Sequence, residues 1–336
     1  MKVLVSLILS VVCVLTFSMV QAEDTLTGAG ATFPAPIYQA WAYDYNKSTG
    51  IKLNYQPIGS GGGIQQIKSR TVEFGASDAP LTPEELNKDG LLQFPAVMGG
   101  VVIVAHMPGI KAGELKLDSD AVCKVYLGNI KYWDDEKIKA LNPQVNLPHN
   151  EITVVHRSDG SGTTAIFTTY LSETCPEWNT TVGHGTSVKW PVGIGGKGNE
   201  GVSNYVHQAP AAIGYVEFAY AKLNNLTYTA LKNSSGKFIE PSFEAFEDAA
   251  ASANFDPKKH FNLWLVNAPG KNAWPIAGAT FILLAKDNKQ ANMKTVKFYD
   301  WAFNNGDAKA KELIYVPLPK SLKNKIRAYW KEYGIY

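Results

Sequence analysis

Arg157, Asp159, Ser161, Gly162 and Thr163 lie close together in the stretch HRSDGSGTTAIFTTYL, His156 to Leu171. A guanidinium, a carboxylate, hydroxyls and glycines at this spacing suit two kinds of chemistry. One is capture of an oxyanion by a bidentate guanidinium and by the unpaired backbone amides of a helix start. The other is nucleophilic attack by Ser161, with His156 nearby as base. Ser161 has glycines on both sides but no Gly-x-Ser-x-Gly elbow around it. His156 neighbours Arg157 on a strand, so its side chain faces the opposite way. First helical turns favour Asp and Glu, yet Gly162, Thr163 and Thr164 include neither, and the next acid after Asp159 is Glu173. Such a helix start suits a bound anion. A plain cap without ligand is the commoner fate of a lone Gly-Ser turn.

The stretch repeats a design found twice earlier, in GATFP (Gly30 to Pro34) and GSGGG (Gly59 to Gly63). In each, a strand ends, glycines or hydroxyls follow and a helix begins. Open α/β sheets bind ligands outside the carboxyl ends of their strands, so the chain offers three candidate anion corners. None is a nucleotide P-loop, and GIGGKGNEG (Gly193 to Gly201) fails the same test, which leaves Lys197 as a loop charge.

The elements that must carry these corners alternate between strand and helix, which predicts an α/β fold with mostly parallel strands. Ile37, Trp41 and Tyr45 recur at helical spacing, and Ile51, Leu53 and Tyr55 alternate as in a strand before the break at GSGGG. EFGAS ends a third strand at Asp78. Thr82, Pro83 and Glu85 form a capping box with proline at the first helical position. AVMGGVVIVAHM is expected to be a buried strand that crosses into a second lobe. AIGYVEFAYA and AWPIAGATFILLAK are further strands, and between Asn224 and Asn272 the pattern weakens.

With 336 residues, 45% apolar and 18% charged, the chain has length for two domains and the composition of a globular protein. Residues 1–22 predict a secretory signal peptide, with Lys2, an apolar run and a cut after Ala22. No later run is long enough to span a bilayer. Dropping Lys2 from the 32 basic residues leaves 31 against 30 acidic, a charge of +1 that argues against a nucleic-acid surface. Export would place Cys123 and Cys175 in an oxidising compartment, where they could pair or stay as buried thiols. The six histidines are scattered, and no metal-ligand spacing occurs.

Taken in order, LTGAGATFPAPIYQAW, GSGGGIQQI, FGASDAPL, RSDGSGTT, VKWPVGIGGKGNEG, AIGYVEFAYAK and AWPIAGATFIL make the chain resemble the periplasmic phosphate-binding proteins of the phosphate-specific ABC transporter. The resemblance implies a two-lobed α/β fold, the type II periplasmic binding protein fold, with a hinge and a ligand cleft between the lobes. Lobe 1 would comprise 23–105 plus 275–336, and lobe 2 would comprise 106–274. Phosphate contacts would fall on Thr32, Phe33, Ser60, Asp78, Arg157, Ser161, Gly162 and Thr163. Gly61 stands where many relatives carry a second serine, so only backbone contact is available there. The implied activity is non-enzymatic: a monomer without cofactor or metal binds inorganic phosphate and delivers it to a membrane permease. Alternatives are a secreted phosphotransferase or phosphatase, or a receptor for another tetrahedral oxyanion.

Overall fold

Residues 25–336 are described by the computed structural model; the expected signal peptide, its cleavage site and Cys13 lie outside the described residues. The chain begins with β1 (Thr25–Gly30), α1 (Ala35–Thr49), β2 (Lys52–Pro57), α2 (Ser60–Lys68), β3 (Phe74–Ser77), α3 (Pro83–Asp89) and the long β4 (Leu91–Ala105). It continues through β5 (Lys116–Leu117), α4 (Ser119–Leu127), α5 (Glu136–Leu141), β6 (Thr153–Arg157), α6 (Gly162–Thr174) and α7 (Pro176–Thr181). Then come β7 (Ile194–Gly196), α8 (Gly198–Gln208), β8 (Ala212–Glu217) and α9 (Phe218–Leu223). The stretch of weak pattern holds β9 (Thr227–Tyr228), β10 (Ala230–Lys232), β11 (Phe238–Ile239) and α10 (Phe243–Ala251). The chain ends with β12 (Ala277–Ala285), α11 (Lys289–Asn305), α12 (Asp307–Glu312) and α13 (Lys320–Glu332).

The main sheet runs β2-β1-β3-β12-β4-β8-β6-β7, with β9 beside β4, and a small second sheet runs β11-β10-β5. Every residue of β4 is buried. Its first part, Leu91 to Gly100, pairs with β12, and its last part, Val101 to Ala105, pairs with β8. One strand therefore belongs to both halves of the sheet. Trp274 clamps the point of exchange by donating its indole N–H to the carbonyl of Val101 at 2.9 Å. Strands are parallel within each half, β2-β1-β3 and β8-β6-β7. At the junction they are antiparallel, because the chain leaves the first half along β4 and re-enters along β12. The expectation of mostly parallel strands thus holds for each half and fails where they join.

Local signals behave as their chemistry requires. Thr82 Oγ1 accepts from Glu85 N and a Glu85 carboxylate oxygen accepts from Thr82 N, closing the capping box. Three expectations change. Gly61 to Gly63 lie in the first turn of α2 rather than in a loop before it, and Gly63 packs so close to Gly30 that an added Cβ would fall 2.5 Å from its Cα. AIGYVEFAYA splits into β8 and α9 because Glu217 caps the helix, accepting from Ala219 N at 2.8 Å. GIGGKGNEG contributes β7, paired with β6, before α8 begins at Gly198. Cys123 of α4 is bonded to Cys175, the residue before α7. One segment of the expected second lobe packs on the first half instead: Gln93 Nε2 donates to the carbonyl of His260, and Asn262 Nδ2 to that of Leu81.

Candidate functional site

Where β1, β2 and β6 end, the helices α1, α2 and α6 begin, none with an acid in its first turn. The partial positive charge of these helix starts is left to other groups. Thr32, Phe33, Ser60, Asp78, Arg157, Ser161 and Thr163 are each no more than 6% exposed, and Gly162 is buried with them.

The structure gathers most of these residues into two linked groups. In one, Ser60 Oγ accepts from Asp78 N at 3.2 Å and from Gly162 N at 3.0 Å, and sits 3.5 Å from Asp78 Oδ2. The start of α6 thereby touches the start of α2. Gly162 has to be glycine, because a Cβ there would lie 2.5 Å from Ser60 Oγ and 2.6 Å from Asp78 Cβ. Alongside, Gly61 N donates to the carbonyl of Gly160 at 2.8 Å. In the other group, Asn199 Nδ2 donates to Thr32 Oγ1 at 2.7 Å and to Thr163 Oγ1 at 3.2 Å.

Arg157 is held as a fork by Asp159, Nε to Oδ1 at 2.8 Å and Nη2 to Oδ2 at 2.6 Å. Its remaining nitrogen, Nη1, is buried with no hydrogen-bond partner, as is Asp78 Oδ1. Ser161 Oγ accepts from Thr164 N, so its proton remains to be donated elsewhere. Phe33 differs from the rest. Its ring packs edge-on against Tyr315, and its carbonyl accepts from the Tyr315 hydroxyl at 2.7 Å, so only its backbone N–H is of use to a ligand.

Burial sets the electrostatics. Desolvation pushes the Asp78 carboxyl up to about 7, opposed by the nearby Thr280 hydroxyl, the Arg157 charge and Ser60. Burial also pushes Asp159 upward, but the two hydrogen bonds and the charge of Arg157, with a bond from Gly198 N, hold it below the usual carboxylate range. Arg157 and Asp159 thus form an ion pair that leaves the guanidinium nitrogen Nη1 to spare. The result is a dry cluster of hydroxyl, amide and guanidinium donors around a single carboxylate acceptor. Such a cluster suits an oxyanion that has many acceptor oxygens and carries a proton.

Among the described residues, His156, the nearest histidine in sequence to Ser161, is engaged elsewhere. The ring of His156 stacks on Trp190 with centroids 4.8 Å apart, and its Nδ1 bonds the carbonyl of Arg157 at 3.0 Å. Sequence reasoning missed Asn199 and Tyr220, whose hydroxyl donates to the carbonyl of Thr32 at 2.7 Å. The sequence signal for Asn199 is its place at a glycine-rich helix start, two residues after Lys197.

A family model described as a PBP superfamily domain matches residues 20–305. The phosphate-binding protein PstS of Pasteurella multocida is 51% identical over 318 residues, covering 94% of this chain and 92% of that protein. That of Haemophilus influenzae is 51% identical over 310 residues, covering 92% and 93%. The more distant PstS of Methanocaldococcus jannaschii is 38% identical, covering 87% and 82%. Among solved structures, a high affinity periplasmic phosphate-binding protein bound with phosphate superposes over 90% of this chain and 93% of its own, at 23% identity with a TM-score of 0.72. A phosphate binding protein from Stenotrophomonas maltophilia gives 91% and 93%, 21% identity and 0.69. At those identities the likeness shows the fold, the two-lobed α/β fold of type II periplasmic binding proteins. Sharing half its residues with the closer relatives over nearly its whole length, the chain belongs to the phosphate-binding protein family of ABC-transporter substrate-binding proteins, within the PBP superfamily.

Proposed function

We propose that this protein is exported to the periplasm, closes as a monomer over inorganic phosphate and passes it to an ABC permease for import. The observation that carries the reading is the pairing of one unpartnered guanidinium nitrogen, Arg157 Nη1, with one buried carboxylate, Asp78, between two helix starts. A carboxylate beside an anion is repulsive unless the ligand brings a proton. Hydrogen phosphate does so, and its P–OH donates to Asp78. Above pH 7, where Asp78 is ionised, sulfate has no proton to give and would meet a bare negative charge, so Asp78 supplies the selectivity. The ligand contacts on this reading are Thr32, Phe33 through its backbone, Ser60, Asp78, Arg157, Ser161, Gly162 and Thr163.

The lobes divide where β4 changes partner, between Gly100 and Val101, and where the chain returns just before β12. Residues 255–262 go with the first lobe on this division. Each lobe supplies donors, so binding stabilises the closed arrangement. Turnover plays no part in the reading, and the uses made of His156 and Ser161 support that.

The test is calorimetric titration of phosphate and of sulfate into ligand-free wild type and Asp78→Asn. The expected result is one-to-one phosphate binding by wild type with no response to sulfate, and narrowed discrimination in the variant. Wild type that folds and ignores phosphate would overturn the reading, and unchanged selectivity in the variant would overturn the role of Asp78.

A further inference from the structure

Asn199 is fully buried at the start of α8 and uses every polar group it has. Its backbone N–H and its Nδ2 both donate to Thr32 Oγ1, at 3.2 and 2.7 Å. Nδ2 also donates to Thr163 Oγ1 at 3.2 Å, and Oδ1 accepts from Glu217 N at 2.9 Å. The last bond fixes which way the amide faces, since the flipped amide would set NH2 against the Glu217 N–H, donor to donor. Glu217 N is itself placed by the pairing of Glu217 with Val101, at the point where β4 changes partner.

A threonine hydroxyl has one proton and two lone pairs. With two donors from Asn199 on Thr32 Oγ1, both lone pairs are occupied and only the proton remains to be given. Thr163 Oγ1 accepts one bond from Asn199 and keeps its second lone pair. Thr32 follows β1 in the first half of the sheet, whereas Asn199 and Thr163 belong to the second, so the arrangement forms only when the halves meet.

We propose that Asn199 is a positioning residue that turns the hydroxyl of Thr32 into an obligate donor, biasing the closed site toward an oxyanion rich in acceptor oxygens. The proposal rests on the phosphate reading of that site. Once the Thr32 hydroxyl cannot accept, a ligand proton on that side is left to the Asp78 carboxylate. Selectivity for the ligand's protonation pattern then depends on a residue that does not touch the ligand.

The experiment is a double-mutant cycle on ligand-free protein, with phosphate affinity read by calorimetry for wild type, Thr32→Val, Asn199→Ala and the double variant. Thermal melts confirm that each is folded. Each single variant is expected to bind about 10- to 100-fold more weakly, the worth of a hydrogen bond to a charged group. The double variant should be no weaker than the weaker single one, because Asn199 acts through Thr32. Losses that multiply, or an Asn199→Ala protein of unchanged affinity, overturn the proposal. Should Asn199→Ala fail to fold, Asn199→Asp keeps the bond from Glu217 N and offers the hydroxyls an acceptor, drawing their protons away from the ligand. Its loss of affinity is expected to shrink in the Thr32→Val background; an equal loss in both would mean charge repulsion alone and overturn the proposal. Wild type that does not bind phosphate would instead fail the functional reading itself.

Discussion

Replacing Asp78 by Asn removes the group whose titration is most displaced at the site, and the effect can be read without any ligand. The native carboxyl titrates near 7, against 3.8 for an ordinary aspartate, because burial disfavours its charge. The native state therefore holds the proton more tightly than the unfolded chain does. Its contribution to stability is fully present below pH 4 and is lost as the pH rises toward 7, the reverse of a salt-bridged aspartate. Between pH 5 and pH 8 the native state should lose roughly 2–3 kcal/mol through this one group. Asparagine has no such dependence. Urea unfolding of ligand-free wild type and Asp78→Asn at the two pH values should show the variant gaining that amount on wild type as the pH rises. Burial also raises Glu217 well above the carboxylate range, but that group is present in both proteins, so most of its effect cancels in the difference. Parallel profiles would mean that water reaches Asp78 in the ligand-free protein, refuting a carboxyl desolvated before phosphate arrives.

Other outcomes follow from the same contacts. Arg157→Ala removes the spare donor and strands Asp159 next to the anion, so phosphate affinity should fall by about 2–5 kcal/mol in calorimetry. Gly162→Ala puts a methyl against Ser60 and Asp78 of the facing half. The Tm of ligand-free and of phosphate-loaded protein should both fall, by an amount reflecting about 1–3 kcal/mol of overpacking. Replacing Cys123 and Cys175 by serine opens a loop spanning a sequence separation of 52 and should lower stability by about 2–4 kcal/mol in denaturant titration, with phosphate still bound.

Elements whose instructions lie within a few residues could be read from the chain alone. The capping box at Thr82, the fork between Arg157 and Asp159 and the acid-free start of α6 are local, so spacing and residue type suffice to expect them. The buried run before Met107 announced a crossing strand by its apolar length. Thr32 and Phe33 fall in the GATFP corner that residue types single out, but their individual roles, like that of Asp78, rest on the family resemblance.

Tertiary structure decided what depends on sheet order. Ser60 meets Gly162 across 102 residues of sequence, and Thr32 meets Asn199 across 167. No periodicity encodes either contact. They arise because β4 serves both halves of the sheet and because glycines at 61, 160 and 162 let the two helix starts approach. That approach is also what desolvates Asp78. The sequence therefore determined which donors and which acceptor the protein possesses. Their meeting in one dry cluster, and the carboxyl chemistry that follows from burial, came only with the fold, since dielectric environment belongs to the packed neighbours and not to the residue.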